Sequence, residues 1–166
     1  MRIGIDIMGG DYAPRKTIEG VILANKELAE EVEIILFGKE QEILIELKNH
    51  KIPANKFTII DSSEVINMED HPSKAFKSKP NSSIVKGLSY LRDDKIDGFC
   101  SAGNTGALMA MAKLFLRPIE GINRPAIAAY FPTIIGESCM LDLGANIECD
   151  AKNLVQFAFM GQDFAN

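Results

Sequence analysis

Tryptophan is absent from this 166-residue chain, and cysteine and histidine are scarce, at three and two residues. The thiols Cys100, Cys139 and Cys149 are odd in number and show no Cys-x-x-Cys spacing. That pattern argues against a disulfide framework or a thiolate metal cluster and for the reduced thiols of an intracellular protein. His50 and His71 stand apart from each other and outside any His-Glu-x-x-His pattern, so neither a metal nor a cofactor is expected. No apolar run is long enough to cross a bilayer. Asp6 interrupts the N-terminal apolar segment before a signal-peptide core can form, so a cytoplasmic location is expected. Basic residues are outnumbered, 18 Lys and Arg against 23 Asp and Glu, for a net charge of −5. Nucleic acid is therefore not an expected partner. Neither the Gly-x-Gly-x-x-Gly nor the Walker pattern occurs, nor a Gly-x-Ser-x-Gly elbow. These absences lower the odds of a dinucleotide enzyme, an NTPase and a serine hydrolase.

What is present is an ordinary globular mixture, 46% hydrophobic and 25% charged, enough for a real core in a single domain. The pattern alternates between strand and helix periods. Ile3, Ile5 and Ile7 recur at period two, which predicts a strand over Arg2 to Met8. Pro14 suits the first turn of a helix that carries Ile18, Val21, Ile22 and Leu28. Val32 to Phe37 is a continuous apolar run, as in a strand buried on both faces. A helix over Gln41 to Lys48, a strand over Phe57 to Ile60, a helix over Ser82 to Leu91 and a strand over Ile96 to Cys100 follow. The next helix runs to Leu116 through Leu108, Met111, Ala112 and Phe115. Ala126 to Phe131 and Ser138 to Leu143 read as further strands. Ala151 to Phe164 reads as a last helix with Leu154, Val155, Ala158 and Phe159 inward. The stretch Lys77 to Ser83 reads as loop. Such alternation predicts an α/β fold with a mostly parallel sheet covered on both faces, whose ligands sit beyond the carboxyl ends of the strands.

Three turns fall at such ends: Met8 to Asp11, Ser101 to Gly106 and Gly144 to Asp150. Gly9-Gly10 is either a tight turn or a place where backbone approaches a ligand. Ser101 to Gly106 precedes a helix, and its run of small and polar residues exceeds what a cap requires; free amides and the helix dipole make it a natural anion site. Asp142-Leu143-Gly144-Ala145-Asn146 is either a strand end with a cap or a carboxylate and an amide at the same mouth. Acids are missing from His71 to Arg92 and from Gly98 to Ile119; either lysines on solvated faces fall so by chance, or acids are excluded where an anion binds. Cys100, at the end of an apolar strand, fits a buried inert thiol better than a nucleophile.

The segments Ile5-Asp6-Ile7-Met8-Gly9-Gly10-Asp11, Ser101 to Met109, Arg124-Pro125-Ala126, Asp142 to Asn146 and Leu154 to Gly161 resemble, in order and across essentially the whole chain, the bacterial phosphate acyltransferases of phospholipid synthesis, the PlsX family. The resemblance implies a three-layer α/β/α fold of the isocitrate dehydrogenase-like and phosphate acetyltransferase-like type. It implies transfer of a fatty acyl group from acyl carrier protein to inorganic phosphate, giving acyl phosphate for a membrane glycerol-3-phosphate acyltransferase. It also implies a homodimer that associates peripherally with the membrane. On that footing Ser101, Gly103, Asn104, Thr105 and Gly106 are expected to cradle phosphate, with Gly9 and Gly10 beside them. Lys79, Ser82 and Ser83 are second-rank phosphate ligands. Asn104 or Asn146 is expected to donate to the oxyanion, and Asp11 or Asp142 to orient donors. Members of that family are considerably longer, so the chain is expected to be an N-terminal portion. Two alternatives are a coenzyme A-dependent short-chain phosphate acyltransferase and a non-catalytic piece that binds only phosphate or a partner chain.

Overall fold

The computed structural model describes residues 1–146 and 148–165. The chain packs as two compact units, Met1–Leu116 and Arg117–Asn166, where the sequence reading places everything in one α/β domain.

The first unit is built on four parallel strands, β1 (Arg2–Asp6), β2 (Glu33–Gly38), β3 (Thr58–Asp61) and β4 (Gly98–Cys100), in the order β3-β2-β1-β4. The central position of β2 explains its unbroken apolar run, because both of its faces are covered. Ile34 and Leu36 turn to one face, where they meet Ile18 and Val21 of helix α1 (Arg15–Glu27) and Ile43 and Leu47 of α2 (Glu40–Asn49). Ile35 and Phe37 turn to the other face, packing with Ile96 and with Tyr90 and Leu91 of α4 (Ser83–Arg92). Phe37 meets Tyr90 and Phe99 edge-on, at centroid distances of 5.2 and 5.7 Å. A helix layer on each face of a parallel sheet is the predicted three-layer arrangement.

Helix α3 (Pro72–Ser78) is absent from the sequence reading, which left this stretch without an element and began its loop at Lys77. Its seven residues carry too few apolar positions to show a period, and Pro72 at its start is the one local signal. Tertiary contact supports it: Phe76 meets Phe115 of α5 (Thr105–Leu116) edge-on at 5.6 Å. The start of β4 moves two residues from the predicted Ile96, because Ile96 serves as core while Asp97 turns back to pair with Arg2 at 3.0 Å.

In the second unit, β5 (Ala128–Thr133) and β6 (Gly136–Leu141) pair with each other antiparallel, as a two-stranded ladder of their own. Helix α6 (Ala151–Ala165) turns the opposite way from the predicted face. Asn153, Gln156 and Phe157 are buried, while Leu154, Val155 and Phe159 are more than half exposed and Ala158 is exposed. The reason is hydrogen bonding. Asp150 and Asn153 cap the helix reciprocally. Gln156 donates to the Gly121 carbonyl and accepts from the Asn123 amide.

Candidate functional site

The carboxyl ends of the neighbouring parallel strands β1 and β4 bring the Met8–Asp11 and Ser101–Gly106 turns together. Their backbones touch closely enough that glycine is required at position 9. A Cβ there would lie 2.6 Å from Asp6 Oδ2 and 2.7 Å from the Gly103 nitrogen. Gly10 adopts a φ of +103°, a conformation open to glycine.

Asp6 organises the junction. It is essentially buried; Oδ1 accepts from the Met8 amide at 3.0 Å and Oδ2 from the Ser101 hydroxyl at 2.7 Å. Ser101 Oγ in turn accepts from the Gly103 amide at 3.1 Å. One carboxylate thus sets the orientation of the turn that ends β4. Burial pushes its pKa above the ordinary aspartate value, and hydrogen bonding from Ser83, Ser101 and the Met8 and Gly9 amides opposes this without cancelling it. In the sequence Asp6, with Asp11, reads as able to orient a base, a metal or a neighbouring loop; which loop it holds depends on β4 lying beside β1.

Asn104 ends the turn and is 6% exposed. Its Oδ1 accepts from the Ala107 amide at 2.9 Å, capping α5. Its Nδ2 faces the carbonyls of Asn67, Met68 and Asp70, each at 3.1 Å. Both donors are taken, so the expectation that this side chain donates to an oxyanion is not met by this geometry. The amides of Thr105 and Gly106 in the first turn of α5 have no acceptor among the described residues, and both residues are exposed. Gly106 also lets α5 approach Pro72, since a Cβ would come within 2.9 Å of the proline ring.

A cleft of about 190 Å³ opens between the two turns and the 65–69 segment, lined by Met8, Gly10, Asp11, Val65, Ile66, Asn67, Met68, Glu69 and Gly103. Its charged lining residues, Asp11 and Glu69, are acidic. Two lysines of the acid-poor stretches are held by other acceptors. Lys79 pairs with Asp70, and its hydrogen bond, helped by the Asn67 amide, holds that carboxyl below the usual range. Lys86 donates to the Asp61 carbonyl.

Two second-rank phosphate ligands are corrected. Ser82 is fully buried as the N-cap of α4, accepting from the Val85 amide at 3.4 Å; Ser83 is buried beside Asp6. Replacing Ser82 with Ala is expected to lower stability by about 1 kcal/mol and to leave phosphate affinity unchanged. Urea unfolding and a phosphate titration check the two halves. Cys100, expected to be buried, is exposed on the edge strand β4.

The third turn belongs to the second unit and follows the antiparallel strand β6. There Asn146 Nδ2 donates to the Pro125 carbonyl at 3.0 Å and to Asp142 Oδ1 at 2.8 Å. Its amide donates to Asp142 Oδ2 at 3.2 Å. Asp142, at a φ of +62°, thus closes its own loop, and Asn146, like Asn104, is occupied within the protein. Residue 147 of this turn lies outside the described residues. Among the described residues no group of acidic, cysteine or histidine side chains is arranged to hold a metal ion, and no helix is long and apolar enough to cross a membrane.

The fold and its paired strand-end turns define an α/β protein of the phosphotransacetylase architecture. A phosphotransacetylase from Streptococcus pyogenes superposes with a TM-score of 0.69 at 18% identity, over 95% of this chain and 51% of that one. EutD phosphotransacetylase from Staphylococcus aureus gives 0.63 at 18%, over 95% and 50%. The chain belongs to the fatty acid synthesis protein family, whose model matches residues 1–166. A phosphate acyltransferase of Magnetococcus marinus is 46% identical over 166 residues, all of this chain and 47% of the relative. One of Dictyoglomus thermophilum is 46% identical over 163 residues, 98% of this chain and 48% of the relative. The chain spans about half the length of the curated relatives it matches.

Proposed function

We propose that this chain is the amino-terminal portion of a phosphate acyltransferase that moves a fatty acyl group from acyl carrier protein to inorganic phosphate. The observation that carries the reading is the β1–β4 junction, where Gly10 and Gly103 of the two turns line one cleft just before α5 begins, in a chain 46% identical to phosphate acyltransferases. A phosphate oxygen attacks the thioester carbonyl, the carbonyl oxygen takes up negative charge, and the C–S bond breaks to leave acyl phosphate and the carrier thiolate. Phosphate is the nucleophile, so no serine or cysteine of the protein is consumed.

The residues fit a division of labour. The Thr105 and Gly106 amides, at the positive end of α5, hold the anion. Gly10 and Gly103 leave backbone open at the cleft, while Gly9 lets the two turns touch. The oxyanion also falls to backbone donors, each worth about 3 kcal/mol to the transition state. Met8, Val65 and Met68 give the cleft an apolar share suited to the neutral thioester arm, while Asp11 and Glu69 keep a second anion out of it. The proposal extends to a homodimer, to peripheral membrane association, and to a membrane glycerol-3-phosphate acyltransferase as consumer of the product.

Trapping with hydroxylamine tests the reading. Phosphate-dependent acyl hydroxamate from acyl carrier protein thioesters is the expected result. Hydroxamate from coenzyme A thioesters alone indicates the short-chain alternative. None from either, with phosphate still bound, indicates a binding piece without catalysis.

A further inference from the structure

We propose that Asn104 is a positioning residue that pins the Asn67–Asp70 segment as one wall of the cleft and thereby sets the fit of the acyl donor. This rests on the acyl-transfer reading for what enters the cleft, but not for how the wall is held.

Asn104 follows Gly103, which lines the cleft from the turn side. Val65, Ile66, Asn67, Met68 and Glu69 line it from the other. The single Asn104 side chain joins the two: Oδ1 is tied to the first turn of α5, and Nδ2 to three carbonyls of the 67–70 segment. An amide nitrogen carries two hydrogens, so the three carbonyls share them. Buried donors facing several acceptors are costly to remove. Asn67, Met68 and Glu69 are exposed, and the apolar anchor is Ile66 before them, buried in the cluster with Val85, Leu88, Ala107 and Met111. A second tether comes from Asp70, which accepts from the Asn67 amide at 2.7 Å and pairs with Lys79.

Asn104→Asp separates wall from cap. Aspartate caps a helix as well as asparagine does, so α5 keeps its acceptor for Ala107. The two donors are lost, and carboxylate oxygens face three carbonyls. Hydrogen exchange and binding of a long-chain acyl-pantetheine thioester are measured on the whole chain. In Asn104→Asp, exchange of the 67–70 amides is expected to rise about tenfold or more, with exchange in α5 unchanged. The dissociation constant for the thioester rises about tenfold. Where turnover is measurable, KM for the donor rises while kcat holds within about threefold. Asp70→Asn, which keeps an acceptor for Asn67 but loses the ion pair, moves the same readouts in the same direction by less; it decides the matter if Asn104→Asp does not fold.

Unchanged exchange at 67–70 overturns the inference, as does faster exchange with unaltered thioester affinity. A fall in kcat alone makes Asn104 part of the chemistry and overturns it too. A wild-type chain that binds the thioester without turnover leaves the inference standing and removes only the acyl-transfer reading; one that binds no thioester removes the inference.

Discussion

Replacing Asp6 with Ala is expected to cost at least about 3 kcal/mol of folding stability, because each buried donor left without an acceptor costs roughly 1–3 kcal/mol. The Ser101 hydroxyl and the Met8 amide lose the partner they reach at 2.7 and 3.0 Å, and Ser83 and the Gly9 amide lose theirs. Against a total stability of roughly 5–15 kcal/mol for a domain, that is a large share. Phosphate binding falls with it, since Ser101 no longer has a reason to face Gly103. Chemical unfolding and a phosphate titration measure the two losses.

Asp6→Asn carries a further, pH-dependent expectation. Burial raises the folded-state pKa of Asp6, so the folded chain holds this proton more tightly than the unfolded chain. The contribution of the carboxyl to stability is then fully present below the ordinary aspartate pKa and is lost as pH rises through the folded value. Asp70 and Asp97 are shifted the other way by Lys79 and Arg2, but they are common to both proteins and cancel in the difference. The stability of wild type minus that of Asp6→Asn therefore falls as pH rises from about 4. A difference that stays flat with pH, or rises, contradicts the assignment.

The second large effect is at Gly9. A methyl group there would sit 2.7 Å from a backbone nitrogen and 2.6 Å from the buried carboxylate oxygen. Neither neighbour is the loose end of a flexible side chain, so the two turns must part. Gly9→Ala is expected to cost about 1–3 kcal/mol through overpacking. Acyl phosphate formation should fall about 100-fold, because a displacement of about 1 Å at a site of positioned reactants costs that much. Gly20→Ala is the control: nothing lies within 4 Å of its Cβ, and it sits inside α1. Removing a helical glycine there is expected to stabilise by about 0.5–1 kcal/mol. If Gly9→Ala keeps near-normal turnover, the junction is not where the chemistry occurs.

Much of the frame was readable along the chain. Period two at Ile3, Ile5 and Ile7, the unbroken run ending at Phe37 and the spacing of Ile84, Val85 and Leu88 each reflect burial of a local face against a sheet. They placed β1, β2 and α4 within a residue or two. The two glycine turns were equally visible, because tight backbone approach leaves a mark in composition. Helix α3 was not visible, since seven residues hold too few apolar positions to show a period. The buried face of α6 was misjudged, because its polar anchors Asn153 and Gln156 are stabilised by carbonyls and amides elsewhere in the fold.

The same distinction runs through the site. Residue order determined which strands end in glycine-rich turns, that the second turn opens a helix, and hence where free amides and a helix dipole meet. Tertiary structure decided which polar side chains remain free to act there. Asn104, Asn146 and Ser82 carry the right groups for a ligand, yet their hydrogen bonds are taken by Asn67, Met68 and Asp70, by Pro125 and Asp142, and by Val85. Asp6, readable in the sequence as able to orient a base, a metal or a neighbouring loop, holds the turn that ends β4. Hydrogen-bond capacity is finite, and which partner takes it is settled by packing between segments far apart in the chain.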